Sequence, residues 1–299
     1  MTLSRRGFMF GTTAMAALAA AGRSQAAPLR LPLGIQLYSV REQMAADFEG
    51  TLGAVHDAGY TEVEAAALPK RTASEVRKAL DGAGLACVSA HHPFGDLRNR
   101  FDQIVEFDRA IGARWIICAT PGRRVALPAG ATNPPPPPSL DDWHYNADQF
   151  NAMGEKLKAA GMRFGYHNHT GEFAPVDGKV PYMELLRLCD PDKVAFELDC
   201  GWAKVAGIDP VAMMREYPHR FRMLHIKDFR LAAHPNPTSR EGSEVVELGR
   251  GNIDYAPILA QASHSQSIEH MFVEQEAFTV PWKESIAIDA AYLKRLEKH

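Results

Sequence analysis

From Leu33 onward, short apolar runs alternate with amphipathic stretches. The runs, read as strands, are 33–39, 61–66, 85–91, 114–120, 162–168, 193–199, 221–227 and 270–275. Between them, stretches such as 48–58, 73–83, 98–111, 147–160 and 209–217 repeat apolar residues at helical spacing. Gly59, Gly84, Gly112 and Gly161 each fall just before the next run, where a left-handed residue ends a helix. Eight strand–helix units in about 265 residues predict an α/β fold of one (β/α)8 barrel, a TIM barrel. A doubly wound open sheet is the rival. It needs a glycine-rich turn after the first strand, and Gln36-Leu-Tyr-Ser-Val-Arg41 stands there instead.

Composition narrows the class. The chain has 299 residues, 46% hydrophobic and 23% charged, with net charge −3 and no basic block. That argues against a nucleic-acid partner. The first residues are expected to lie outside the fold. Ser4-Arg5-Arg6-Gly7-Phe8-Met9, the small uncharged stretch 11–22 and Ser24-Gln25-Ala26 have the order of a twin-arginine export signal, 1–26, cleaved after Ala26. The mature protein, 27–299, is then periplasmic. The stretch is too short and too rich in Ala and Thr for stable membrane insertion. Cys87 and Cys118 lie in strand candidates and, with Cys189 and Cys200, show no CxxC spacing; all four are expected to be buried thiols. The stretch 132–140 contains five consecutive prolines and reads as an extended excursion after the fourth strand, either a lid or an inert loop.

Candidate chemistry sits at the ends of the last four strands. Tyr166-His-Asn-His-Thr-Gly-Glu172, Glu197-Leu-Asp199, His225-Ile-Lys-Asp228 and Phe272-Val-Glu-Gln-Glu276 each close an apolar run. Residues two apart on a strand share a face, so His167 pairs with His169, Glu197 with Asp199, His225 with Lys227 and Glu274 with Glu276. Parallel barrel strands deliver these ends to one rim, where mixed oxygen and nitrogen donors can hold a catalytic divalent metal. Glu64 and His91 end the second and third strands and look into the same rim.

From Gly34 to the C-terminus the chain resembles the sugar phosphate isomerase/epimerase family of xylose-isomerase-like TIM barrels. Gly34-Ile-Gln-Leu-Tyr-Ser-Val-Arg41, Gly165-Tyr-His-Asn-His169, Leu198-Asp-Cys-Gly-Trp202, Leu224-His-Ile-Lys-Asp228, Gly249-Arg-Gly-Asn-Ile-Asp254 and Val273-Glu-Gln-Glu276 carry the likeness. Epimerases of that superfamily bind a divalent ion, often manganese, through a strand-five Glu, a strand-six Asp, a strand-seven His and a strand-eight Glu. The resemblance puts Asp199, His225 and Glu274 on the last three positions. On strand five the sequence departs, offering His167 or Glu172 as the fourth ligand and His169 as a substrate-facing group. Mn2+ is the first choice of metal, with Mg2+, Co2+ and Zn2+ as alternatives.

The expected chemistry is proton abstraction beside a metal-polarised carbonyl. Glu274, His169 and Lys227 are the catalytic candidates; Glu64, His91, Trp202 and Glu276 are the substrate-binding ones, with Phe229 a further apolar face. Isomerisation or epimerisation of a sugar or keto-sugar is the first reading. A lyase or dehydratase acting on a keto-sugar, inosose or 3-keto-glycoside is the second, and a non-catalytic sugar-binding barrel the third. The partner is a small carbohydrate, with a homo-oligomer left open. Export argues against a phosphosugar, and Gly249-Arg-Gly is the one faint phosphate cradle.

Overall fold

The computed structural model of the protein describes residues 29–127 and 136–296. The expected export signal and residues 128–135, which include the start of the proline run, lie outside the described residues. The strands are β1 (Gly34–Gln36), β2 (Glu62–Ala65), β3 (Ala86–Pro93), β4 (Trp115–Thr120), β5 (Arg163–His167), β6 (Val194–Asp199), β7 (Phe221–Ile226), β8 (Asp228–Arg230), β9 (Glu244–Val246) and β10 (His270–Val273). The helices are α1 (Arg41–Ala46), α2 (Phe48–Asp57), α3 (Ala73–Ala83), α4 (Phe94–Ile111), α5 (Leu140–Ala159), α6 (Pro181–Leu188), α7 (Cys200–Val205), α8 (Pro210–Glu216), α9 (Tyr255–Ser265) and α10 (Trp282–Leu296). Eight parallel strands close in the order β1-β10-β7-β6-β5-β4-β3-β2. The TIM barrel predicted from the alternation is the fold, and β8 and β9 form a separate antiparallel hairpin beyond the rim.

Boundaries differ where side chains compete with the backbone ladder. The first strand stops at Gln36 because its side chain accepts a hydrogen bond from Tyr38 N (3.0 Å) and caps a 3-10 turn over Leu37–Val40. Helix α5 begins at Leu140, seven residues before the stretch read from periodicity. Ser139 and Asp142 form a reciprocal capping box there. Four of the predicted glycines do take positive φ, between +71° and +107°. The four cysteines are free and buried.

Along the barrel axis the interior changes character. Its lower part is apolar: Trp115, Ile117, Met223 and Phe272 form a cluster of their own, inside the ring of strands. Gly34 is required beside it, since a Cβ there would meet Met271 O at 2.6 Å and the Phe272 ring at 2.7 Å. The upper part is polar. Burying so many ionisable groups is costly unless each is paired, so their arrangement carries the functional argument.

Candidate metal centre

The inward-facing ends of seven strands supply the polar layer: Gln36, Glu64, Ser89, His91, His167, Glu197, Asp199, His225 and Glu274 are all at or near zero exposure except His91 and Glu274, each with 10% of its side chain exposed. Register shifts between Val63 and Glu64 and between Phe196 and Glu197 precede two of the carboxylates. Such irregularities re-aim side chains, here toward the axis.

Two overlapping groups of donors converge. His167, Asp199, His225 and Glu274 place one ligand atom each within 4.8 Å of one another, as do His91, His167, Glu197 and His225. Hydrogen bonds separate their roles. His225 Nε2 faces Glu64 Oε2 at 2.7 Å, leaving Nδ1 toward Glu274 Oε2 at 3.1 Å and Asp199 Oδ2 at 3.8 Å. His167 Nδ1 faces Glu197 Oε2 at 3.0 Å. A metal-binding imidazole characteristically donates its second nitrogen to a carboxylate, which fixes its tautomer and orientation. Glu64 and Glu197 are those carboxylates. They are held in turn by Gln36 (2.7 Å), Ser89 (2.5 Å) and His91 (2.7 Å to Glu197, 2.9 Å to Glu64). His167, Asp199, His225 and Glu274 are therefore the candidate ligand set, and Glu64, Glu197 and His91 its support.

Asp199 divides its two oxygens. Oδ1 accepts from Trp202 N at 2.7 Å and caps α7. Oδ2 is buried with no hydrogen-bond partner among the described residues, although Lys227 Nζ lies 3.1 Å away. An under-coordinated buried carboxylate oxygen beside two imidazoles fits a cation. Two imidazoles and two carboxylates suit Mn2+, Zn2+ or Co2+ better than Mg2+, which prefers oxygen alone.

The charges are strongly interdependent. Burial raises Asp199, against Lys227 and His225. Burial and the Glu64 charge raise Glu197, with His225 and His91 opposing. Glu64 and Glu274 fall the other way: burial would raise both, but His91 and His225 outweigh it at Glu64, and Lys227 and His225 at Glu274. Burial, with the neighbouring imidazoles of His225 and His91, holds His167 well below its ordinary value, whereas at His225 burial is outweighed by Glu197, Glu274 and Glu64, which hold it well above until a cation takes the place of the proton.

Lys227 is completely buried. Its Nζ reaches Glu274 Oε2 (2.6 Å), Glu276 Oε1 (2.7 Å) and Asp199, and lies 4.8 Å from the centre of the Trp202 ring. Tyr255 fixes its backbone by accepting from Lys227 N (3.0 Å) and donating to Lys227 O (2.6 Å).

Of the residues singled out in the sequence, the structure gathers His91, Glu64, His167, Asp199, His225, Lys227, Glu274 and Glu276 at one end of the barrel. His169 stands above them, its ring 4.8 Å from that of His167 and 6.1 Å from that of Trp202. Glu172 is a correction. It turns away from the donors, accepting from Tyr166 OH (2.8 Å) and His169 N (3.0 Å), and ties down the loop after β5. Glu64 and His91 meet the donors as support rather than as open substrate contacts. Phe229 is fully buried beneath Trp202, so it offers no face to a sugar. Gln36, Ser89 and Glu197 were not assigned from the sequence, although polar residues at period two inside apolar runs were the available signal. Beside the rim a cavity of about 530 Å³ opens between the ends of β2 and β3 and α4, with His91, Leu68, Ile104 and Phe107 on its walls.

Comparison with known proteins agrees with the fold. The sequence profile of xylose isomerase-like TIM barrels matches residues 52–296. An inosose dehydratase of Lacticaseibacillus casei is 27% identical over 195 residues, which is 62% of this chain and 64% of that protein's length. One from Clostridium beijerinckii is 24% identical over 250 residues, covering 77% and 82%. A solved sugar phosphate isomerase/epimerase of Parabacteroides distasonis superposes with TM-score 0.67 at 26% identity, covering 92% of this chain and 96% of that one. Among the described residues no helix is long and apolar enough to cross a membrane.

Proposed function

The chain belongs to the xylose isomerase-like TIM barrel family, and from that premise we propose that it is a divalent-metal-dependent lyase that removes water, or a glycosidic substituent, from a keto-sugar or inosose. The observation that carries this is the donor set His167, Asp199, His225 and Glu274 with Lys227 against it. A divalent ion held there supplies Lewis-acid polarisation of a carbonyl and its neighbouring hydroxyl.

The remaining chemistry falls to the chain's own groups. Glu274, ionised at neutral pH, takes the proton from the carbon next to the carbonyl. The Lys227 ammonium offsets the negative charge that develops on the substrate oxygen. His169, above the donors and partly exposed, hands a proton to the departing oxygen, so water or an alcohol leaves and no oxidant is needed. Burial of the layer keeps bulk water from competing.

Elimination is favoured over two-base epimerisation because strand five brings His167, bound to Glu197, where a second carboxylate base would be needed. The dehydratase relatives point the same way. One-base isomerisation is the second reading, supported by the Parabacteroides neighbour. The signal-like first 26 residues make the periplasm the proposed compartment.

Metal analysis combined with proton NMR in D2O over a set of keto-sugars and inososes tests the proposal. Metal-dependent exchange at the carbon beside the carbonyl, with a product lighter by one water or alcohol, is the expected result. Exchange with a product of unchanged mass selects isomerisation. Sugar binding indifferent to chelation would refute both and make the barrel a binding protein. Glu274→Gln and Asp199→Asn should each lose the metal while keeping the fold; full occupancy in both, read by mass spectrometry, removes the site assignment.

A further inference from the structure

Strand β3 turns one imidazole to each side of the barrel wall. His91 points inward, to Glu197 and Glu64, and the next residue, His92, points outward, to α4. There its Nε2 meets Asp108 Oδ2 at 2.7 Å, and the Asp108 side chain is only 2% exposed. Among the described residues no contact links this pair to the metal donors, so the chemistry of the metal centre does not account for it. The pair forms part of the wall of the cavity of about 530 Å³ between β2, β3 and α4. That volume lies within the range of about 300–1,000 Å³ that small-molecule sites occupy.

The space has an origin in the sequence. Ala65 and Ala90, buried on β2 and β3, and Ala66 and Ala67 in the loop beyond β2 present methyl groups to it. Barrel walls are ordinarily packed to close density by larger side chains. Opposite the alanines, Asp96, Arg100, Gln103, Ile104, Phe107 and Asp108 recur at helical spacing, so one face of α4 looks into the cavity.

The walls define what the cavity can hold. Leu68, Ile104 and Phe107 offer apolar surface, which a bare sugar would leave uncovered. Arg71 is answered by Glu49 (2.9 Å), Arg100 by Asp96 (2.7 Å) and Asp108 by His92. Lys70 alone among the charged lining residues has no hydrogen-bond or ion-pair partner. One positive charge is left over, which suits a monoanion and not a phosphate dianion. With Asp108 accepting from Nε2–H, Nδ1 is the His92 nitrogen left for a ligand, and in that tautomer it accepts a hydrogen bond.

We propose that this cavity is a second binding site, separate from the metal centre, for a small hydroxyaromatic carboxylate. The aromatic ring lies against Phe107 and Ile104, its hydroxyl donates to His92, and its carboxylate pairs with Lys70. The site does not depend on the reaction proposed for the metal centre.

Calorimetry on the metal-loaded protein at constant ionic strength, with 4-hydroxybenzoate as the probe, tests the proposal. One site per chain with a dissociation constant of about 1 mM or tighter is expected for a molecule of this size. Phenol, which lacks the carboxylate, and benzoate, which lacks the hydroxyl, should each bind about 5-fold more weakly, the effect of one ion pair or one hydrogen bond. Lys70→Ala should bring 4-hydroxybenzoate to the affinity of phenol. Gln103→Trp, which sends an indole into the cavity from an exposed position, should abolish binding. Both substitutions replace exposed side chains, and an unchanged melting temperature verifies the fold. No saturation below about 10 mM would overturn the proposal, as would binding that survives Gln103→Trp. If the surviving binding disappears on chelation, the probe is instead a ligand of the metal centre. Equal affinities for the three probes would overturn the parts given to Lys70 and His92.

Discussion

Replacing Lys227 by Met would show what holds three carboxylates together inside the barrel. Burial alone would lower the Lys227 pKa, but Asp199, Glu274 and Glu276 outweigh it and hold the ammonium charged. Methionine keeps the length and packing of the stem while removing the charge. Asp199 is wholly buried and Glu274 nearly so, and leaving buried charge uncompensated costs about 3–5 kcal/mol. Glu276, with 19% of its side chain exposed, can turn outward and keep Arg240 as partner, which favours the lower end. The metal-free variant should therefore lose about 3 kcal/mol, a fall in melting temperature of about 6 °C for a barrel of this size. A divalent cation among the same carboxylates supplies replacement charge, so saturating Mn2+ should restore most of the loss. Urea unfolding followed by tryptophan fluorescence, with and without metal after chelator dialysis, measures both quantities. A loss below about 1 kcal/mol, or one that metal leaves untouched, would refute the account of Lys227 as the counter-ion of this site.

Other predictions follow from the same geometry. Glu197→Gln preserves shape but removes the charge that orients His167 and His91; metal affinity should drop about 10- to 100-fold with the fold intact, and unchanged affinity by calorimetry would make Glu197 a packing residue. The metal-free protein should become less stable in alkali. At His91, burial opposes protonation, but Glu64 and Glu197 outweigh it and raise the pKa to about 9. A raised histidine stabilises fully below the unfolded value of about 6.5 and loses that contribution as pH rises through about 9, for a total of about 3 kcal/mol. Unfolding midpoints flat across that window would count against the His91 contacts. N-terminal sequencing of protein recovered from the periplasm should begin at Ala27, and an intact Met1 there would dismiss the export signal.

The barrel was legible because its signal is repeated: eight apolar runs, each closed by ligand-type residues or by a glycine-capped helix, leave few other solutions. The ends of elements were less legible, since they depend on single side chains. Gln36 halts the first strand by bonding Tyr38 N, and Ser139 starts α5 where periodicity gave no warning. For the site, period-two spacing found which residues face the axis, but not how deep each lies or which oxygen points where. Glu172 and His167 are five residues apart and equally good donors by type. Only the Tyr166 hydroxyl and the His169 amide, which claim both Glu172 oxygens, separate them.

The division of the barrel interior explains how such a charged layer is tolerated. The lower strand halves place Trp115, Ile117, Met223 and Phe272 in an apolar plug that needs nothing from the rim. An ion pair of Arg163 with Glu269 and a hydrogen bond between His270 and Glu62 (2.8 Å) close the barrel beneath it. The rim can then concentrate like charges, because the inward-facing positions beneath it are filled by apolar side chains. Their repulsion is relieved by Lys227 and the histidines, and a bound cation would relieve it further. The barrel thus holds the donors rigid from below at the rim where, in the function proposed above, a substrate carbonyl meets Glu274 and His169 together.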